Sequence, residues 1–72
     1  MTRAEFWGRK ILLADSLGLE AVKNLLNAAS PEVVSIKHLD GGVTLREFAD
    51  GSFLRSRPFK ELGNMGWLEW TE

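Results

Sequence analysis

The spacing of hydrophobic and polar positions changes about halfway along the chain. Between residues 19 and 29, apolar side chains recur every three or four positions, and charged or amide side chains fill the intervals. The apolar stripe consists of Leu19, Val22, Leu25, Leu26 and Ala29. This period predicts an amphipathic helix that packs on a core through the stripe. Pro31 predicts where the helix ends, because the residue before a proline avoids helical geometry.

The first 15 residues fit two structures. Thr2 and Glu5 have the spacing of a capping box, and most of the residues that follow are good helix formers. The segment "KILLADS", followed by a helix and then by "EVVSI", also has a strand–helix–strand order. That order is similar to the opening unit of doubly wound domains, but the glycine-rich phosphate turn is missing. We favour a helix, with residues 16–18 as the turn of a helical hairpin.

The period becomes that of β-strands from Val33 onward. The segments "VVSIKHL", "VTLREF" and "SFLRS" are rich in β-branched and aromatic residues, which predicts three strands. Asp40-Gly41 and Asp50-Gly51 separate them and favour two-residue hairpin turns. Pro58 predicts the start of a short helix with Gly63 as its C-cap. The final "WLEWTE" predicts a fourth short strand, with a helical tail as the alternative.

These elements predict an α+β domain. An N-terminal helix or helical hairpin packs on one face of a three- or four-stranded antiparallel β-meander, with β-α-β-β-β as the alternative fold. The helical part covers residues 2–30, the meander covers 32–57, and the C-terminal turn and short strand cover 58–72. The length of 72 residues leaves room for a single domain.

Two-residue loops would fix which side chains share each face of the sheet. One face would be mostly aliphatic and pack on the helices: Val34, Ile36, His38, Val43, Leu45, Glu47 and Leu54. The opposite face would be basic and aromatic and would carry Val33, Ser35, Lys37, Leu39, Thr44, Arg46, Phe48, Phe53, Arg55 and Arg57. Trp67 is expected beside the phenylalanines. A three-residue loop at residues 40–42 would instead shift the first strand by one position and remove Lys37 from the basic face.

The basic and aromatic face is the candidate site. Arg46 would lie directly opposite Arg55, and like charges across a ladder destabilise it. A bound anion, an acidic partner or an acidic side chain such as Glu69 would compensate. Arginine and tryptophan are also the residue types that anchor protein interfaces. The sequence therefore predicts seven partner-binding residues: Lys37, Arg46, Phe48, Phe53, Arg55, Arg57 and Trp67.

Composition excludes several other kinds of site. Nine basic and ten acidic residues give a net charge of -1, which argues against a chain-wide attraction to nucleic acid. Without cysteine, and with His38 as the single histidine, disulfides, thiolate metal sites and histidine-rich metal sites are excluded. No nucleophile–base spacing, phosphate loop, dinucleotide fingerprint or calcium loop is visible. We therefore expect no enzymatic activity and no cofactor.

The remaining class is a binding protein. We expect a small non-enzymatic protein-binding module, such as an accessory subunit, adaptor or inhibitor, whose partner has an acidic surface. Binding of single-stranded DNA or RNA by the same face is the alternative, and a free sheet edge is compatible with a homodimer. The longest apolar run is far below the roughly 18 residues that span a membrane, and no signal peptide is visible. We expect a cytoplasmic protein.

Overall fold

The computed structural model describes residues 1–59 and 65–71, with only the backbone described for residues 58, 59 and 65–67. Two helices precede four strands, and the strands form one antiparallel sheet in the order β1-β2-β3-β4. The elements are α1 (Arg3–Asp15), α2 (Leu19–Ala29), β1 (Val33–Leu39), β2 (Val43–Phe48), β3 (Phe53–Phe59) and β4 (Met65–Thr71). The α+β prediction is confirmed, and the β-α-β-β-β alternative is wrong because residues 9–15 are helical.

The start of α1 follows the predicted capping signal. The Oγ1 atom of Thr2 accepts a hydrogen bond from the Glu5 backbone N–H at 3.1 Å. This bond satisfies one of the N–H groups that a helix leaves free in its first turn. The Glu5 carboxylate also accepts a hydrogen bond from Arg9 Nε at 2.7 Å, one turn further along α1. This pair reinforces the helix locally.

The loop between β2 and β3 caps the same helix from a distance. Asp50 Oδ2 accepts a hydrogen bond from the Arg3 backbone N–H at 2.8 Å, and Ser52 Oγ accepts one from the Ala4 N–H at 3.0 Å. The hydrogen bond from the Ser52 hydroxyl, together with those from the backbone N–H groups of Arg3 and Ser52, lowers the pKa of Asp50 from 3.8 to about 2. The loop therefore ties the beginning of α1 to the sheet.

The second helix ends as predicted, at Ala29 and before Pro31. Within its apolar stripe, Val22 and Ala29 are buried, and Leu25 and Leu26 pack partly buried against them. Gly18 precedes the helix with φ of +101°, a backbone conformation that favours glycine.

The core lies between the helices and one face of the sheet, which we call the helix side. Its buried apolar residues are Ala4, Trp7, Ile11, Ala14, Val22, Ala29, Phe48 and Leu54. Gly8 allows α1 to approach β4 closely, because a Cβ at this position would clash with Cε3 of Trp70.

Both hairpins have longer loops than the two-residue turns that were favoured, and the first is the three-residue loop over residues 40–42 that was the alternative. Leu39 pairs with Val43, which leaves residues 40–42 as the first loop. At the second hairpin, Glu47 pairs with Phe53, and the Phe48 N–H donates a hydrogen bond to the Ser52 carbonyl oxygen at 2.9 Å. This hydrogen bond leaves residues 49–51 as the second loop. Among the described residues, only glycines have positive φ. The predicted type I′ turns, which need positive φ at both central residues, are therefore wrong.

The longer loops turn β2 over relative to the prediction. Each loop shifts the pairing by one residue, and such a shift moves every side chain to the other face. On β2, Thr44, Arg46 and Phe48 therefore lie on the helix side, and Val43, Leu45 and Glu47 lie on the opposite face. Between β1 and β3 the two shifts change the face twice, so the side chains of Lys37, Arg55 and Arg57 stay on one face as predicted.

An irregularity between Val33 and Ser35 changes the start of β1 as well. Val33 packs against the core, contrary to its predicted outward position, and Val34 is 62% exposed although an inward position was predicted. A bulge breaks the alternation locally in this way.

The C-terminal part contains a strand and not a helical tail. β4 covers the predicted "WLEWT" and pairs with β3 from Phe53↔Thr71 to Phe59↔Met65. Pro58 lies within β3 and does not begin a helix. It lies beyond Ser56, the last β3 residue that pairs with β2, so its missing N–H leaves that ladder intact. The predicted C-cap at Gly63 lies outside the described residues.

Candidate protein-binding surface

Within residues 1–59 and 65–71, no element covers the face of the sheet that points away from the helices. We call it the outer face, and residues that pair across antiparallel strands share a face. Its described side chains are Ser35, Lys37, Leu39, Val43, Leu45, Glu47, Phe53, Arg55, Arg57, Glu69 and Thr71.

Apolar and charged side chains lie in rows across the outer face. Lys37 pairs with Leu45, Leu45 with Arg55, and Arg55 with Glu69, so one row crosses all four strands. The next row consists of Ser35, Glu47, Phe53 and Thr71. The outer face is therefore mixed, with apolar side chains on the inner two strands and charges beside them.

The apolar part of the outer face forms a shallow depression. Leu45, Phe53, Arg55, Glu69 and Thr71 line a volume of about 270 Å³. Leu45 and Phe53 are half-buried, so part of each side chain contacts water. No described element covers this depression.

The cations of the outer face are held by neighbouring groups to different extents. Arg55 forms a salt bridge with Glu69 through Nη2 and Oε1. Arg57 Nε donates a hydrogen bond to the Gly41 carbonyl oxygen at 3.0 Å, which fixes the guanidinium at the first hairpin. Lys37 is exposed. Glu69 is thus the counter-charge of Arg55, although the Arg46–Arg55 repulsion expected from the sequence does not occur, because Arg46 pairs with Leu54.

The structure groups four of the seven predicted residues on the outer face: Lys37, Phe53, Arg55 and Arg57. Trp67 pairs with Arg57 through the backbone, and its side chain lies outside the described residues. The proposed binding role of these residues stays a prediction.

Phe48 and Arg46 do not lie on the outer face, and their predicted placement was wrong because β2 is turned over. Phe48 is 1% exposed and belongs to the core. Arg46 pairs with Ile36 and Leu54 on the helix side, so it is not opposite Arg55.

The environment of Arg46 is unusual for a cation. It is half-buried, and burial lowers the pKa of its guanidinium. In the part of the chain that the structure describes, no side chain or carbonyl forms a hydrogen bond or ion pair with it. A charge in such a position is costly unless a counter-charge or water accompanies it.

Sequence reasoning missed the apolar part of the outer face. Val43 and Leu45 were expected to pack on the helices, and Leu39 was not treated as a contact residue. The available signal was the second glycine of Asp40-Gly41-Gly42, since both Gly41 and Gly42 have positive φ and therefore belong to the loop.

Other kinds of site receive no support from the described residues. Those residues contain no group of three or more side chains that could hold a metal ion. Their helices include none that is long and apolar enough to cross a membrane. Comparison with known proteins returned no matching family, no similar curated protein and no similar solved structure.

Proposed function

We propose that the protein is a small non-enzymatic protein-binding module, an accessory subunit, adaptor or inhibitor, whose outer face contacts an acidic surface of its partner. The observation that supports this function most directly is the open sheet face. One side of the sheet is closed by α1 and α2, and the other side leaves Leu39, Leu45 and Phe53 partly in contact with water.

The composition of the outer face suits a protein interface. A protein interface combines an apolar centre with a polar rim, and arginine and aromatic residues are enriched in it. Leu45 and Phe53 would form the centre, with Lys37, Arg55 and Arg57 around it. The depression of about 270 Å³ would receive one side chain of the partner.

The charges of the outer face favour an acidic partner. Its described residues include the cations Lys37, Arg55 and Arg57 and the acids Glu47 and Glu69. The charge of Arg55 is balanced by Glu69 in a salt bridge, whereas Arg57 donates a hydrogen bond to a neutral carbonyl group. Carboxylates of a partner would therefore meet Lys37 and Arg57 first, and such pairs mainly govern association rate and specificity.

Single-stranded nucleic acid is the competing ligand. Proteins of that kind stack successive bases on several aromatic side chains along a basic groove. Among the described side chains of the outer face, Phe53 is the one aromatic residue. The net charge of -1 and the mixed charges of the outer face suit a basic groove poorly, so a protein contact fits the face better.

The test begins with affinity capture from a lysate of the source cells, with and without nuclease. We expect one dominant protein in both samples. That protein is then purified, and its Kd is measured against the wild-type chain, against Phe53→Ser and against the double variant Lys37→Gln/Arg57→Gln. We expect Phe53→Ser, at the centre of the interface, to bind roughly tenfold more weakly. We expect the double variant to raise Kd mainly by slowing association, because its cations lie around that centre.

The matched control removes two exposed cations from the helices, with Lys10→Gln/Lys23→Gln. This control keeps the same net charge as the double variant and should leave Kd unchanged. Equal losses in both double variants would show that net charge alone matters. Capture that disappears with nuclease, and a Kd that weakens steeply as salt rises, would favour nucleic acid instead.

A further inference from the structure

The two edges of the sheet differ in charge and in how far the helices cover them. β1 and β4 are the two edge strands. β4 lies under α1, where Trp70 packs against Gly8 and beneath the guanidinium of Arg9 at 5.6 Å. Along β1, by contrast, Val34 and Ile36 are 62% and 49% exposed, so the helices leave this edge uncovered.

The uncovered edge has basic side chains on both of its sides. Lys37 lies on the outer face, and the exposed His38 lies on the helix side of the same strand. Arg46, the half-buried guanidinium without a described partner, lies on β2 directly beside Ile36. No acid occurs between Val33 and Leu39.

We propose that the β1 edge binds an extended acidic segment of a partner protein, which adds to the sheet as a fifth strand and places a carboxylate on Arg46. The free backbone groups of an edge strand are a template for such addition. The inference concerns a different surface from the outer face and does not need that face to bind.

The distances fit this arrangement. Neighbouring strands are about 4.8 Å apart, so an added strand would lie roughly 10 Å from β2, with β1 between them. An arginine and a glutamate that extend towards each other span this separation over Ile36. The added carboxylate would supply the counter-charge that Arg46 lacks, and the aliphatic stem of the same glutamate would lie over Ile36.

A second copy of this chain fits the edge less well. Pairing of two β1 strands would bring two sets of Lys37, His38 and Arg46 together without an acid from either strand. Lysine on an edge strand is one of the devices that prevent self-pairing. The same lysine attracts a strand of opposite charge, so the occupant is an acidic segment of another protein.

The experiment uses the full chain and a synthetic peptide of seven residues in which valine and glutamate alternate. Amide chemical shifts are followed by NMR as the peptide is added. We expect the shifts to change along Val33–Leu39 and to stay unchanged along β4. Replacing each glutamate of the peptide by glutamine should weaken binding roughly tenfold, which is the typical effect of losing a hydrogen bond to a charged group.

Two comparisons separate strand addition from simple attraction of charge. Arg46→Gln should weaken binding roughly tenfold, whereas Lys23→Gln, which removes one exposed cation from α2, should not change it. A peptide with N-methyl groups on all of its backbone amides keeps its charge but has no N–H to pair with β1 through either edge, so it should not bind. This second comparison remains decisive if Arg46→Gln fails to fold. Equal binding of the N-methyl peptide, shifts centred on another strand, or no shifts at millimolar peptide would overturn the proposal.

Discussion

Both faces of the sheet carry aromatic and aliphatic side chains, but the degree of burial differs between the faces. On the helix side, Phe48 and Leu54 are buried completely under α1 and α2. On the outer face, the neighbouring Phe53 and Leu45 remain half-buried and lie between charged side chains. One phenylalanine is therefore a core residue, and the other, five positions later, belongs to a surface.

The difference arises from loop geometry. β2 has a strand-like pattern on both faces, so alternation alone does not determine which face turns inward. The three-residue loops on either side of β2 decide it. We therefore expect the helix side to determine stability and the outer face to contribute little to it, and four predictions test this division.

The largest difference is expected between the two phenylalanines. Phe48→Ala should lower the free energy of unfolding by about 3–5 kcal/mol, because it leaves a cavity in the core. Phe53→Ala should lower it by about 1 kcal/mol, because much of this ring already contacts water. Urea unfolding followed by circular dichroism gives both values. If Phe48→Ala does not fold, Phe48→Leu provides the comparison, and equal losses at the two positions would contradict the assignment of faces.

A tight helix–sheet contact should make Gly8→Ala destabilising. Alanine in a helix normally gains about 1 kcal/mol over glycine, but here the new methyl group would meet the Trp70 ring. We expect a net loss of roughly 1–3 kcal/mol in thermal or urea unfolding. In a Trp70→Leu background the clash is relieved, so the same substitution should become neutral or stabilising. A gain in the wild-type background would contradict this packing.

The cap that the β2–β3 loop supplies to α1 should give a smaller, pH-dependent effect. The pKa of Asp50 falls from 3.8 to about 2 on folding, so its charge stabilises the folded state above about pH 4. That contribution is lost as the pH falls from about 4 to about 2. Asp50→Asn should lower the melting temperature at pH 7 and flatten its decline in this range. An unchanged pH profile would show that Asp50 is not the group responsible.

The smallest effect is expected for an outer-face charge. Arg55 and Glu69 each have half of their side-chain surface exposed, and exposed ion pairs contribute about 0.2–1 kcal/mol. Arg55→Gln should therefore change the urea midpoint only slightly, and less as salt rises. A loss comparable to that of Phe48→Ala would mean that the outer face is part of the stabilising structure.

Much of the fold could be predicted from local signals. The stripe that ends before Pro31 predicted α2, Thr2 predicted the start of α1, and the two Asp-Gly pairs marked the hairpins. These features depend on neighbouring residues, which is why the sequence reveals them. The helix predicted at Pro58 was wrong, because a proline is compatible with a strand at a position beyond the end of the neighbouring strand, here β2.

The composition of the candidate site was less predictable, because it depends on register. A difference of one residue in each loop moved Arg46 and Phe48 to the helix side and left Lys37 with Arg55 and Arg57. Gly42 carried the signal for the first loop, and the second loop gave no comparable signal. The exposure of Ile36 depends on how far the helices extend over the sheet, which no local pattern reports.

The orientation of β2 is the central claim, because it determines which residues the outer face contains. It can be measured by labelling the four phenylalanines with fluorine, assigning their signals by substitution, and adding a soluble paramagnetic agent. We expect the Phe53 signal to be strongly attenuated and the Phe48 signal to be protected. Attenuation of Phe48 together with protection of Phe53, or equal attenuation of both, would contradict the assignment of the outer face and the function proposed for it.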